Sequence, residues 1–398
     1  MPTKKLALVA FSGGLDTSFC VVWLREQGFE VNTVTVNTGG FSTKEIAEIA
    51  LKAKKLGSKK HFTIDESARL LSFFELVIKA NYLRGGVYPA CVGPERIVAA
   101  EAVAKLAREI KADTIAHGST GAGNDQVRFD TALRTLAPQC EISAPIRQLC
   151  LTREEEIAWL KQRGYEIPAK AKDYSINVGL LGTTIGGKET LTSHSTPPDS
   201  AFPHIPNPEK AADKSEKITL GFTQGSVTHL NGKKLSLEKI ITELNKLGIK
   251  HGIGRGIHLG ATILGFKGRV AFEAPAALML IQAHRELEKL TLTSRQIFWK
   301  DHLGQVWGDM IHEGLAFDPV CTDIVALIES SQTTVSGEVF LTLYRGNISV
   351  TGCISPNSLM DNKTAVYGEK NLAFDGRDAE GFCKIYGLEG VIAYRNRC

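Results

Sequence analysis

A chain of 398 residues, 43 % of them apolar and 23 % charged, exceeds what one hydrophobic core fills and has the balance of a two-domain globular protein. Its net charge of +4, from 47 basic against 43 acidic residues, is too small and too dispersed for a nucleic-acid or anionic-membrane surface. No apolar run reaches the roughly 18 residues that span a bilayer, the N-terminal run is too short for a signal peptide, and the eight cysteines are scattered without a C-x-x-C pair, so a cytoplasmic protein without a disulfide framework or a cysteine-zinc site is expected.

The first 165 or so residues alternate strand and helix patterns. Apolar Leu6–Ala10 predicts a strand, Thr17–Glu26 a helix and Val31–Val36 a second strand. Ser42 with Glu45 forms a capping-box pattern that opens a helix to about Leu56. A strand at His61–Ile64, a helix at Ser67–Ala80 and a long amphipathic helix at Pro94–Ile110 follow. Buried-looking Thr114–Ala116 leads into the loop HGSTGAGNDQ, and helices are predicted at Gln126–Leu136 and, from a second capping box at Thr152 and Glu155, to about Gln162. Such alternation implies right-handed βαβ units and a mainly parallel sheet covered on both faces.

The texture changes at Ser193–Lys217, which carries five prolines and reads as a linker or long surface loop. Two β runs around Gln224-Gly225, with a second turn at Asn231-Gly232, come next. Helices are predicted at Ser236–Leu247, Ala274–Leu290 and Arg295–Glu313, and a β pair around the turn Arg345-Gly346-Asn347. The second half is therefore α+β. Boundaries are expected near Ala169 and Asp361, giving domains 1–169 and 170–361 and a C-terminal tail, 362–398, that packs on another subunit.

The joint after the first strand carries chemistry. Ser12-Gly-Gly-Leu-Asp-Thr-Ser18 places a glycine turn between a strand and a helix N-terminus, where free N–H groups and the helix dipole attract an anion. Gly13 and Gly14 allow close backbone approach, and Ser12, Thr17 and Ser18 add hydroxyls. A plain N-cap with turn glycines is the competing reading. The position at the carboxyl end of the first strand of an α/β pattern favours the ligand site. The motif has neither the Gly-Lys-Ser/Thr ending of a Walker loop nor G-x-G-x-x-G.

This stretch resembles the pyrophosphate-binding loop of the N-type ATP pyrophosphatases, which split ATP between the α and β phosphates. A second motif, Ala116–Asp130 (AHGSTGAGNDQVRFD), resembles the aspartate- and ATP-binding segment of one family among them, the argininosuccinate synthases. Tyr174–Asn177 and Gly182–Thr184 are similar to that family's citrulline-contacting stretch, and His251–Arg255, Lys267–Arg269 and Phe272–Pro275 to its second-domain motifs. The resemblance runs along nearly the whole chain and is strongest before residue 190. It implies an adenine nucleotide α-hydrolase-like parallel-sheet domain, an α+β synthetase domain, a C-terminal oligomerisation tail and a homotetramer.

It also implies a two-step ligase. The ureido oxygen of citrulline attacks the α-phosphate of Mg-ATP, pyrophosphate leaves, and the amino group of aspartate displaces AMP from the citrullyl-adenylate. By resemblance, Ala10, Phe11, Ser12, Gly13, Gly14, Leu15, Asp16, Thr17, Ser18, Val36, His117 and Gly118 hold ATP. Thr120, Asn124 and Asp125 bind aspartate, and Tyr88, Asn124, Arg128, Ser175 and Thr184 line the citrulline site. Ser12, Asp16, Asn124, Asp125 and Arg128 are the expected catalytic set. Mg2+ arrives with ATP, with no metal ligand from protein side chains and no organic cofactor. The expected partners are citrulline, aspartate, ATP and further copies of the chain, with no nucleic acid and no membrane.

The chain departs from the family pattern, so it reads as a divergent branch. Gly93 stands where a serine is usual, Gly260 where a glutamate is, and Phe272 where a tyrosine is; Gly186-Gly187 follow Thr184 in place of an acid. Glu95, Glu189 or Glu273 would replace the missing carboxylate, or the pocket takes an N-acylated citrulline; tRNA adenylation and a non-catalytic ATP-binding role are the rival readings. Three further signals are read as structural. HGIGRGIHLG is a turn rather than a dinucleotide loop. His251 and His258 lie on a loop rather than at a metal, and Lys52–Lys60 is a solvated face. His117 has two readings, a packed residue holding its loop or a direct ligand.

Overall fold

The computed structural model describes residues 4–166, 174–368, 371 and 373–397. The boundary expected near Ala169 lies outside the described residues. The first part builds a five-stranded parallel sheet from β1 (Leu6–Ala10), β2 (Glu30–Asn37), β3 (His61–Asp65), β4 (Thr114–Ala116) and β5 (Glu141–Ser143). The order is β3-β2-β1-β4-β5, so the chain winds outward from β1 in one direction and then restarts on its other side. The crevice beyond the carboxyl ends of β1 and β4 is the topological switch point, where open α/β sheets bind ligands.

Helices α1 (Leu15–Glu26), α2 (Thr43–Lys55), α3 (Ser67–Lys79), α4 (Gly93–Glu109), α5 (Asp125–Leu136), α6 (Pro145–Leu149) and α7 (Arg153–Gln162) cover the sheet. One face packs Ala7 and Val9 against Phe19, Val22, Leu24 and Leu160; the other packs Leu8 and Ile115 against Ala100, Val103 and Leu133. Both capping boxes form. Ser42 N donates to Glu45 Oε2 at 2.8 Å, and Thr152 N to Glu155 Oε2 at 2.8 Å. Two elements of this first part lie outside the sequence reading. β5 is only three residues long and exists by pairing with β4, and α6 is a single turn and a half opened by Pro145.

The second part continues with β6 (Ser175–Gly179), β7 (Gly182–Gly186), β8 (Glu216–Thr223), β9 (Ser226–Leu230), β10 (Lys233–Lys234), α8 (Leu237–His251), β11 (Arg255–Ala261) and β12 (Lys267–Glu273). It ends with α9 (Pro275–Thr291), α10 (Ser294–Glu313), α11 (Pro319–Ser331), β13 (Gly337–Tyr344) and β14 (Asn347–Ile354). Two antiparallel sheets result, β10-β9-β8-β13-β14 and β11-β12-β7-β6. HGIGRGIHLG is thus a turn only at its start: Gly252 caps α8 in the left-handed region, and from Arg255 the stretch is strand, held in register by β12. His251 closes α8 on Glu216 (3.0 Å), while His258 sits on β11, not on a loop. The proline-rich 193–217 is mostly irregular, with two short 3-10 turns, and it already enters β8 at Glu216.

A single core joins the two parts: Phe73, Phe74 and Val77 of α3 pack with Leu280 and Leu287 of α9 and Trp307 of α10. Gly304 and Gly308 let α10 lie directly on Ala80 and Tyr82. That crossing matters for function, because it carries the end of α10 to the switch-point crevice. Beyond β14, α12 (Gly376–Tyr386) and α13 (Leu388–Arg395) bury no residue and expose Phe382, Ile385, Tyr386, Val391 and Ile392. Among the described residues no helix is long and apolar enough to cross a membrane.

Candidate active site at the switch point

The end of β1 is pinned before the chain turns. Phe11 N donates to Val34 O at 2.8 Å, and Thr35 Oγ1 donates to Phe11 O at 2.7 Å. Gly13 takes φ +75°, a conformation L side chains rarely adopt. Gly14 then caps α1, and the N–H groups of Leu15, Asp16 and Thr17 in its first turn have no intrahelical partner, which makes an anion cradle. Ser12 and Gly14 are exposed at its mouth. Ser18 is fully buried and its hydroxyl donates to Gly14 O at 2.6 Å, so that side chain braces the loop from behind.

Lys52 corrects one sequence reading. Of the lysines at 52–60 it alone turns inward, and its Nζ donates to Gly13 O at 2.5 Å. Partial burial lowers its pKa, and it brings a positive charge to the floor of the cradle.

The second loop leaves β4 and folds onto the first. A Cβ on Gly118 would stand 3.0 Å from Asp16 Cβ and from Thr17 N, so only a glycine lets the two loops touch this closely. His117 is buried and holds this loop: Ser119 N donates to Nδ1 at 3.3 Å and Nε2 donates to Asp130 Oδ1 at 2.8 Å. Both ring nitrogens are spent, which favours the packed reading of His117 over a direct ligand. Burial would raise the Asp130 pKa, but hydrogen bonds from His117 and Arg147 hold it at about 2.

At the start of α5, Asp125 sits between two cations. Arg96 Nε donates to Oδ2 at 3.0 Å and Arg128 Nη1 to Oδ1 at 2.7 Å. Burial works to raise this carboxyl, and the two guanidiniums outweigh it and bring it to about 2. Arg128 is itself buried, and its Nε donates to His312 O at 2.7 Å. His312 is driven down to about 2 by burial and by Arg128 and Arg84, so it is neutral at any working pH. Asn124 Oδ1 accepts from Ile263 N at 3.0 Å, which ties the tip of the β11–β12 hairpin to the second loop.

The structure therefore puts Ala10–Ser18 and Gly118 in contact beyond the carboxyl ends of β1 and β4, with Asn124, Asp125 and Arg128 where the second loop enters α5. Val36 lies close by on β2, two residues beyond the Phe11–Val34 hydrogen bond, and Thr120 is exposed on the second loop. Tyr88 is buried beside Phe272 (ring centroids 5.3 Å) and His258 (6.0 Å, nearly parallel). Phe272 pairs across the sheet with Thr184, whose Oγ1 accepts from Asn177 Nδ2 at 3.5 Å. Ser175 is apart from this group, exposed on the outer strand β6 opposite Gly186. Each acid expected to stand in for the one missing at Gly260 is already engaged. Glu95 accepts from Thr38 Oγ1 at 2.9 Å and lies 3.4 Å from Arg96, Glu189 accepts from Tyr174 OH at 2.5 Å, and Glu273 accepts from Ile205 N at 2.7 Å and faces His204. Lys52, Arg96, His258 and His312 are site residues that sequence reasoning missed. Only Lys52 had a signal, its place on the inward side of a capped helix.

The sheet order, with a glycine cradle and a touching second loop at the switch point, defines the HUP class of adenine-nucleotide-binding domains. Residues 6–166 match the family model described as the arginosuccinate synthase N-terminal HUP domain, and residues 174–393 the one for the arginosuccinate synthase C-terminal domain. The chain is 38 % identical to the argininosuccinate synthase of Methanocaldococcus jannaschii over 392 residues, covering 98 % of both chains. It is 39 % identical to that of Pyrococcus furiosus, over 97 % of this chain and 94 % of the relative, and 38 % identical to that of Xanthomonas campestris, over 98 % of both. The chain belongs to the argininosuccinate synthase family.

Proposed function

We propose that this chain is the ligase of arginine biosynthesis that joins citrulline and aspartate into argininosuccinate, with Mg-ATP split to AMP and pyrophosphate. One observation carries the reading. The second loop touches the anion cradle after β1 through Gly118, runs into the Asn124–Asp125–Arg128 group, and is tied at Asn124 to a hairpin of the second part. A nucleotide phosphate and an amino-acid substrate bound there would be neighbours, which is what transfer of an adenylyl group requires.

In this reading the α1 N-terminus and Lys52 stabilise the pyrophosphate that leaves. The ureido oxygen of citrulline attacks the α-phosphorus, and the bond to the bridging oxygen of pyrophosphate breaks. The aspartate amine, having shed its proton, then bonds to the ureido carbon, and AMP departs with the former ureido oxygen. Asp125, an ion across the working pH range, offers a fixed negative charge for the ammonium of aspartate, with Thr120 and Asn124 beside it. Asn124, Arg128, Tyr88 and Thr184 line the citrulline side, Ser175 stands apart from them on the outer strand β6, and His117 and Ser18 position the loops. Mg2+ enters as part of the nucleotide substrate. The protein acts in the cytoplasm as a homotetramer, and the bare apolar faces of α12 and α13 support a subunit contact there.

Citrulline carrying 18O in its ureido group tests the sequence of bonds. With Mg-ATP and aspartate, the label appears in AMP and argininosuccinate forms in step with pyrophosphate. Unlabelled AMP, or pyrophosphate without argininosuccinate, would refute the mechanism.

A further inference from the structure

A free amino acid presents both an ammonium and a carboxylate, and a pocket that takes it answers each with the opposite charge. Around Tyr88 the cations are Arg84, Arg96 and Arg128, and most of the carboxylates are taken. Asp125 is assigned to the aspartate substrate and braced by Arg96 and Arg128, Glu95 is held by Arg96 and Thr38, and Asp309 by Arg84 (2.7 Å) and the Tyr82 hydroxyl (2.7 Å). Glu273 is turned away, onto His204 and the backbone of Ile205.

Glu313, the last residue of α10, is different. It is half-buried and, among the described residues, makes neither a hydrogen bond nor an ion pair. Arg84 lies near enough to feel its charge, but the Arg84 guanidinium is fastened to Asp309. Glu313 lines a cavity of about 290 Å3 together with Arg84, Gly85, His258, Gly260 and Gln305. The next residue, Gly314, is so close to α5 that a Cβ there would stand 2.8 Å from Arg128 Cα. The backbone that follows Glu313 therefore lies beside Arg128, whose neighbour His312 also feels Arg84 and His258.

The opposite wall of the cavity is closed to an acid. His258 lies over Gly260 and against Gly85, and a Cβ on either glycine would come within 2.6 Å or 2.8 Å of its ring. The two glycines let the imidazole lie nearly parallel to Tyr88. A carboxylate carried by position 260 would have to displace that ring. Burial and the charge of Arg84 lower the His258 pKa, so the wall is neutral.

We propose that Glu313 receives the α-ammonium of the acceptor amino acid, so that the pocket selects free citrulline over an N-acylated form. This rests on the ligase reading above. The ammonium would sit in the cavity between the Glu313 carboxylate and the neutral His258 ring, which Tyr88 backs, a carboxylate supplied by α10 instead of β11.

Steady-state pyrophosphate release by the full-length chain, with Mg-ATP and aspartate, tests this using citrulline and N-acetylcitrulline as acceptors. Glu313→Gln raises the citrulline KM by roughly 10- to 100-fold, the range expected for losing one charged hydrogen bond. Its kcat and ATP KM stay within about twofold, since the lost contact serves ground state and transition state alike. Glu313→Asp, which keeps the charge on a shorter stem, falls between the two and serves as the control for folding. N-acetylcitrulline is a poor acceptor for both variants and the parent chain. An unchanged citrulline KM in Glu313→Gln would overturn the assignment while leaving the ligase reading intact, as would a parent chain that prefers N-acetylcitrulline. A parent chain that releases pyrophosphate with neither acceptor would defeat the ligase reading itself.

Discussion

Glu156 is the least comfortable group behind the nucleotide cradle. Helix α7 lays it against α1 with only 1 % of its surface exposed, and its Oε2 has no hydrogen-bond partner among the described residues. Burial raises its pKa most, and the neighbouring Asp16 carboxylate adds to this; Arg153 on its own helix offsets part, and the result is about 8. On the α1 side it also faces the Cys20 thiol, which burial keeps protonated. The rise from 4.5 to about 8 corresponds to about 5 kcal/mol. The folded chain binds a proton here that the unfolded chain releases above pH 4.5. Stability from this group is therefore complete below pH 4.5 and is lost as pH rises through 8. Glu156→Gln keeps a donor toward Asp16 and removes the titration. At pH 5 the two proteins should melt within a few degrees of each other. At pH 9 the variant should be the more stable, by up to about 5 kcal/mol, at about 2–4 °C per kcal/mol for a unit the size of the N-terminal part. Thermal unfolding followed by circular dichroism at pH 5, 7 and 9 reads the difference directly. A gap between the two melting curves that does not change with pH would show that Glu156 is ionised in the folded chain and would refute the reasoning.

Two other perturbations separate the halves of the site. Lys52→Met removes the donor to the Gly13 carbonyl and should raise the ATP KM by roughly tenfold, the cost of one charge-assisted bond, while the citrulline and aspartate KM values hold; an unchanged ATP KM would make Lys52 a bystander. Asp125→Ala should abolish argininosuccinate formation while ATP still binds, measured by calorimetry, and should lower stability by about 1–3 kcal/mol because the buried Arg128 loses a partly exposed counter-ion while Arg96 keeps Glu95. Equal loss of ATP affinity would mean that Asp125 belongs to the nucleotide side.

What was legible in the sequence was what neighbours along the chain decide. Ser42–Glu45 and Thr152–Glu155 are hydrogen-bonded over three residues, and the Ser12–Ser18 turn is made by its own glycines, so each could be read without the rest of the fold. Thr114–Ala116 is legible because it leads into a glycine loop, whereas β5, equally short, has no such marker and is an edge strand held by β4. The glycines of 252–260 misled for a physical reason. Only Gly252 and Gly254 take positive φ. Gly256 makes room for the Phe272 ring and Gly260 for His258, so they serve strand contacts rather than turns. The same limit applies to the site. Asp125 and Arg128 lie one helical turn apart and could be paired by eye, but Arg96 reaches Asp125 from α4, Lys52 reaches Gly13 from α2, and His312 reaches Arg128 from α10. A sequence can display the loss of an acid at Gly260. Whatever offsets that loss is set by where α10 crosses Ala80 and Tyr82, and that crossing depends on two glycines that read, along the chain, as blemishes in a helix.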